Sequence, residues 1–408
     1  MSDPSLYFDA RKKLGTKPGL HAIVIGVSDY THLAASEDDA GDGLKAMLKL
    51  ESSALSAWQV AQKLKSMDKA KQLLKPLKTI RMLIAPSQVE LDVDPKMKKA
   101  KGYKPTFDGI KAALNAWRDD ANQSREEQVL FFFSGHGIRR LMQDTILLPS
   151  DFLEDENDPL TKAFNLTNVF NGMMPAKNLT KDFESIGREQ LYLVDACRDK
   201  PPLLDSLEET NTPRIFGVLL NDNIVDDRSA PIFFATIPGG VAAGAPGEPT
   251  FFTRSLLWAL DNGTDELQQI EGMDEDVWPL SMESLFTGMV RKRIVPDGAL
   301  IRSGLIKDFK AGFRKDAPTC SLAIKLKPET LISKIGKVEL HAVDTNNAIP
   351  FTQGETAGVW YGEAVAGNYV LHVEAAANEF PPMSVNVRQF NPVTPKIGFP
   401  WIHALGEV

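Results

Sequence analysis

Leu130-Phe131-Phe132-Phe133-Ser134-Gly135-His136-Gly137 reads as a strand buried on both faces that ends on an imidazole. Apolar runs without alternation mark the inner strands of parallel sheets. A second run, Leu191-Tyr192-Leu193-Val194-Asp195-Ala196-Cys197-Arg198, has the same form and ends on a thiol. In open α/β sheets, ligands lie beyond the carboxyl ends of the strands. Neighbouring strands sit about 4.7–4.9 Å apart. If the two strands are neighbours, His136 and Cys197 meet at one rim. A thiolate is a strong nucleophile, and a nearby imidazole favours that form or removes the thiol proton.

Outward from this pair, His21–Val27, Thr79–Ala85 and Ala230–Thr236 read as further buried strands. Between them, Gly43–Leu77 is rich in helix formers and reads as one long or two shorter helices. Thr106 opens a helix with Ile110, Ala113, Leu114 and Trp117 at helical spacing, and further helices are expected over Leu179–Ile186 and Phe251–Leu260. Alternating strands and helices predict an α/β domain with a mainly parallel sheet flanked by helices. Its expected bounds are 20–265, after an extended lead-in over 1–19. A helical bridge is expected over 266–317. From 318 to 408, short alternating runs punctuated by Gly, Pro and Asn predict a small all-β sandwich of Ig-like or transthyretin-like type.

The 408 residues carry a formal net charge of −8, which argues against a general binder of nucleic acid. Two cysteines, Cys197 and Cys320, fall in different predicted domains, so a disulfide framework is not expected. The first residues lack a secretory pattern, and no apolar run approaches the roughly 20 residues that cross a bilayer. The expectation is a cytoplasmic protein with neither nucleic acid nor membrane as partner.

A histidine at a strand end is often structural, and a lone cysteine is often a small buried hydrophobe. Here Gly135 and Gly137 flank His136 and permit close backbone approach, with the Gly137 N–H open to a developing oxyanion. Cys197 stands where an apolar strand gives way to Arg198-Asp199-Lys200-Pro201-Pro202, a polar exit. Asp195 would otherwise be a costly charge at a strand end.

With Ser134-Gly135-His136-Gly137 and Asp195-Ala196-Cys197-Arg198, the chain resembles the caspase-like cysteine peptidases, in particular their metacaspase and paracaspase branch. The resemblance covers roughly residues 20–262 and includes Asp38-Asp39-Ala40 and Pro249-Thr250-Phe251-Phe252-Thr253. Cys197 follows His136 by about 60 residues, against about 50 in the caspase signature. The family implies His136 as general base and later acid, and Cys197 as the nucleophile that forms a thioester. It also implies the N–H groups of Gly137 and Cys197 as oxyanion donors. Asp195 replaces the Gln that caspases carry, and a carboxylate there repels an anion and accepts a guanidinium or ammonium. The resemblance thus implies cleavage of particular proteins after Arg or Lys. Asp39 (or Asp38 in the other register) and Ser134 would complete the pocket with Asp195. A charge at a helix N-terminus is the competing reading of Asp38 and Asp39.

By the same analogy the setting is bacterial signalling, immunity or cell death, with an activating or regulatory protein as a further partner. No cofactor is required. Calcium activation is a family feature, and Asp151, Glu154, Asp155, Glu156 and Asp158 form an acidic loop after His136. A solvated loop is the competing reading. Self-cleavage near Arg198, Lys200, Arg214 or Arg228 is another family feature. Val359–Glu363 and Ala366–Tyr369 resemble the hairpins of small β-sandwich modules, and the expected role of that domain is partner recognition or substrate positioning. The competing class is a catalytically silent or partner-activated caspase-fold scaffold that binds proteins through the sandwich. A third reading keeps the peptidase but with cleavage after acidic residues.

Overall fold

The computed structural model describes residues 3–99, 104–139, 145–176, 182–198, 212–217, 226–236, 244–263, 268–270, 273, 275–292, 301–305, 310–327, 333, 335–354, 358–375, 378–379, 383–387 and 401–404. By its internal contacts the chain divides into two units, Met1–Leu260 with Gly288–Gly312, and Asp261–Thr287 with Phe313–Val408.

The first unit is built on strands β1 (Leu6–Asp9), β2 (Leu20–Val27), β3 (Leu77–Ala85), β4 (Gln128–Gly135), β5 (Gly137–Ile138), β6 (Ile146–Leu147), β7 (Phe164–Asn165), β8 (Glu189–Ala196) and β9 (Ala230–Phe234). The main sheet runs β1-β3-β2-β4-β8-β9 and ends on the strand Ile301–Leu305. β3, β2, β4, β8 and β9 are parallel, and the two outer strands are antiparallel to them. The expected apolar runs are these five inner strands, and β2 and β4 are buried at every position. Within the 1–19 lead-in, extended residues Leu6–Asp9 pair as β1 with the outer edge of β3, and Arg11–Leu14 turns into a short helix. Among the described residues the 266–317 stretch holds one helix, Met282–Lys292, and its strand Ile301–Leu305 covers the outer edge of β9. Both additions cover edges that would otherwise offer unpaired backbone to another chain.

Helix α1 (Arg11–Leu14) follows β1, and α2 (Ser53–Lys69) packs on β2, β3 and β4. The contact is close: a Cβ at Gly26 would stand 2.6 Å from the Ala57 Cβ and 2.7 Å from the Ser53 carbonyl oxygen. Only a glycine lets the helix approach the strand this nearly. α3 (Gln88–Val93) and α4 (Phe107–Ala121) follow. Thr106 caps α4 by accepting from the Gly109 N–H at 3.2 Å. On the α4 side Ile110, Leu114 and Trp117 pack with Ile23, Ile25, Phe131, Phe133, Tyr192, Val194, Ala196 and Phe234. Each large apolar side chain withdrawn there from water contributes about 1.5–3 kcal/mol. α5 (Leu166–Gly172) and α6 (Phe251–Asn262) complete the named helices.

Two helix expectations change. Within Gly43–Leu77 the long helix begins only at Ser53, because the chain first makes a short 3₁₀ turn over Gly43–Ala46. Residues 182–186 form a bridge and turn rather than a helix, and 179–181 lie outside the described residues.

In the second unit, Thr319–Lys327, Thr352–Gln353, Val359–Val365 and Trp401–Ala404 form one sheet. Ile335–Ala342, Ala348–Pro350, Gly367–Ala375, Asn378–Glu379 and Met383–Val387 form another. Leu322, Ile324 and Trp360 from one sheet share a core with Val338, Leu340, Leu371 and Val373 from the other. The all-β expectation for this region holds. Val359–Glu363 and Ala366–Tyr369 fall on consecutive strands that pair in different sheets, with the single residue Ala366 carrying the chain across the sandwich.

Candidate active site

β4 and β8 are adjacent and parallel, with Ser134 opposite Asp195 and Gly135 opposite Ala196. One step further, His136 and Cys197 leave the two strands side by side and line one cavity of roughly 330 Å³. Lys49, Leu50, Glu51, Asp195, Gly244 and Pro246 are among its other walls.

His136 is held by Leu48 and Tyr30 through three contacts. Its Nε2 lies 2.7 Å from the Leu48 carbonyl oxygen, so an Nε2–H donates there and Nδ1 becomes the basic nitrogen. Its backbone N–H donates to the Tyr30 hydroxyl at 2.7 Å, and the two rings lie 4.9 Å apart. Tyr30 is fully buried and its hydroxyl donates in turn to the Leu148 carbonyl at 3.3 Å. Burial pushes the His136 pKa below its ordinary value, partly offset by the Leu48 carbonyl, so the ring stays a neutral base near pH 7. Burial also holds the Tyr30 phenol protonated.

The wall carrying Leu48 is fixed at the start of α2. The first backbone N–H groups of a helix lack intrahelical acceptors. Here the Ser28 hydroxyl accepts from the N–H groups of Ser53 and Ala54 at 3.1 and 3.0 Å, and Glu90 accepts from Leu55 at 2.8 Å. Glu90 also closes a capping box on α3 with Ser87 and accepts from the Ser28 hydroxyl at 2.9 Å. Burial raises the Glu90 pKa, opposed by these donors.

Gly137 is pressed against the nucleophile's backbone. A Cβ there would stand 2.6 Å from the Cys197 carbonyl oxygen and 2.9 Å from the Ala196 Cβ. The Leu148 N–H donates to the His136 carbonyl across the β5–β6 ladder. By the alternation of an antiparallel ladder, the Gly137 N–H then turns away from β6.

Asp195 is 2% exposed, and one oxygen, Oδ2, collects its donors. Ser134 donates at 3.2 Å, Thr253 at 3.0 Å, and Thr250 through a short contact. Oδ1 has no partner. Burial drives the carboxyl up to about 6, and the three hydroxyls pull the other way. Ser56 joins this group through the Thr250 backbone N–H, which donates to its hydroxyl at 3.0 Å. Glu51 is a second carboxylate on the wall, whereas the Lys49 ammonium is taken by Asp29 at 2.7 Å.

Asp39 departs from the expectation. It sits exposed on a 3₁₀ turn, its carboxylate accepting from Ser36 at 2.8 Å, and it does not line the cavity; Asp38 is exposed on the same turn. The reason is the chain's detour between β2 and α2, which carries residues 37–39 outward and leaves Ser52, Ser53 and Ser56 at the helix start.

The acidic loop is engaged with lysines. Lys162 lies within 3.3–3.8 Å of Asp108, Asp151 and Glu154, and Lys45 pairs with Glu156. Among the described residues no group of three or more His, Cys, Asp or Glu side chains is placed to hold a metal ion. Of the four candidate self-cleavage positions, Arg228 is fully buried against Asp226 and Gln190, and Arg198 is buried against Phe234. Arg214 is exposed, and Lys200 lies outside the described residues. The sequence reading missed Tyr30 and the Leu48 carbonyl. Tyr30 had one signal, an aromatic just past the end of β2; a carbonyl has none.

A peptidase-family model, the caspase domain, matches residues 20–277, and the chain belongs to that family of cysteine peptidases. Among solved structures it is similar to caspase-1 from Spodoptera frugiperda, at 12% identity and a TM-score of 0.40, over 73% of this chain and 92% of that one. No curated protein matches the sequence. Among the described residues no helix is long and apolar enough to cross a membrane.

Proposed function

We propose that the protein is a cysteine endopeptidase that cuts particular proteins after Arg or Lys. Cys197 attacks the scissile carbonyl, and His136 takes the thiol proton and later gives one to the departing amine. A thioester forms as the peptide C–N bond breaks, and water then hydrolyses it. The N–H groups of Gly137 and Cys197 receive the negative charge that develops on the carbonyl oxygen. The cationic side chain before the cut enters toward Asp195, with Ser134 behind that carboxylate. Asp39 falls out of the pocket reading, and Glu51 stands as the second acid of the wall.

One observation carries this reading: a buried carboxylate with an unpartnered oxygen lines the same cavity as His136 and Cys197. A bare buried anion is costly, and an entering guanidinium or ammonium compensates it. Fluorogenic peptides ending in Arg, Lys or Asp, offered to wild type and Cys197→Ala, test the proposal. Turnover of the Arg and Lys peptides by wild type alone is expected. Turnover of none, or of the Asp peptide alone, sinks it.

A further inference from the structure

Arg139 follows Gly137 by two residues, and Arg198 follows the nucleophile directly. Arg198 is 6% exposed, with its guanidinium 4.2 Å from the centre of the Phe234 ring. Arg139 is half-buried. In each, Nε is buried and has no hydrogen-bond partner among the described residues. No carboxylate among the described residues pairs with either. Arg228 shows what a settled buried arginine looks like in this fold: its guanidinium meets Asp226, Gln190 and the Phe170 carbonyl. Burial, and then the charge of Arg139, lower the pKa of Arg198, so the two cations feel one another. Desolvated cations with open donors are costly until an anion joins them.

The placement relative to Cys197 gives that anion a source. Phe234 packs with Val194 and Ala196 on the α4 side of the sheet. Asp195 points the other way, to Ser134, Thr250 and Thr253. Asp195 and the Arg198 guanidinium therefore lie toward opposite faces of the sheet at the end of β8. In the pose proposed above, with the basic side chain entering toward Asp195, the residues after the cut would run toward the Arg198 side of the sheet end.

We propose that Arg139 and Arg198 form a subsite for an acidic side chain of the substrate, on the leaving-group side of the cut. The planar forks of two arginines suit a carboxylate. This inference rests on the peptidase reading above, and it adds a second requirement: a basic residue before the cut and an acidic one shortly after it.

The test uses internally quenched peptides with Arg before the cut, and Glu, Ala or Lys in the two positions after it. For wild type, kcat/KM is expected to fall about tenfold from Glu to Ala and further to Lys, with the spread shrinking as salt is added. In Arg139→Gln and in Arg198→Gln, the Glu-to-Ala ratio is expected to approach one. Because the ratio is taken within each variant, a general loss of folded enzyme cancels. Arg139 is less buried than Arg198, which makes its variant the safer of the two for folding. Equal turnover of the three peptides by wild type overturns the subsite while leaving the peptidase reading intact. Millimolar phosphate stabilising wild type but not Arg139→Gln, with no advantage for Glu, assigns the site to a free anion and also overturns it. Failure to cut any Arg peptide overturns both.

Discussion

Gly137 and Cys197 are locked backbone to backbone: a methyl group on Gly137 would meet the Cys197 carbonyl oxygen at 2.6 Å. The loop that would bind the oxyanion and the loop that bears the nucleophile therefore hold their positions through each other. Gly137→Ala is expected to cut kcat/KM by at least about 100-fold, since a 1 Å misplacement at a reacting centre costs that much. Gly217, where an added Cβ meets nothing within 4 Å, supplies the control, and Gly217→Ala is expected to retain wild-type turnover. Equal activity of the two variants would show that the close approach has no role.

Cys197→Ala and His136→Ala are each expected to lower kcat/KM on an Arg peptide by roughly 1,000-fold or more, and the double variant by little beyond the worse single. Groups that act as one unit show this non-additivity. Independent, additive losses would separate the two residues.

Asp195→Asn is expected to remove most of the preference for Arg over a neutral residue, roughly 10- to 100-fold, the worth of a charged hydrogen bond. The same change is expected to stabilise the fold at pH 7. The native carboxyl titrates near 6, against 3.8 as its ordinary value. The folded state therefore binds the proton more tightly than the unfolded chain does, and ionisation above pH 6 costs about 3 kcal/mol at most. Urea titration should show a gain of roughly 1–3 kcal/mol at pH 7 that disappears toward pH 4. A destabilised variant at pH 7 would mean that the charge is compensated.

The pH profile separates pocket from base. With an Arg peptide, kcat/KM is expected to fall as pH drops through about 6, where Asp195 becomes neutral. Burial also sets the His136 pKa below its ordinary value, so the comparison of substrates and variants is what assigns the limb. A neutral-residue peptide, or the Asp195→Asn variant, should hold its rate to lower pH. An identical acid limb in all three cases would assign it to another group.

Tyr30→Phe removes the acceptor for the His136 backbone N–H and the donor to Leu148. The expected result is a kcat about tenfold lower with KM little changed, and a stability loss of about 1–3 kcal/mol. A rise in KM alone would place Tyr30 in substrate binding instead of in positioning the base.

What the sequence disclosed follows the physics of each element. The inner strands are legible because burial on both faces forces unbroken apolar runs, as in Leu130–Phe133 and Leu191–Val194. The pairing of His136 with Cys197 follows from two such strands ending at one rim. The four-residue β1 is too short to carry a period. The outward detour of Asp39 depends on where α2 starts, and that is decided by Ser28 and Glu90, far apart in the chain. The Leu48 carbonyl is backbone, which every residue has. Composition could not point to it.

The strand Leu6–Asp9 bears on how the molecule is made. During synthesis it leaves the ribosome well before Leu77–Ala85, the strand against which it finally lies. Until that partner emerges it has nowhere to dock; once Ala85 is out, β1, β3 and β2 can close this flank before β4 is made. A nascent chain arrested before Ala85 would display a sticky, half-assembled margin, and deleting the first nine residues should reproduce that hazard in the finished protein as aggregation.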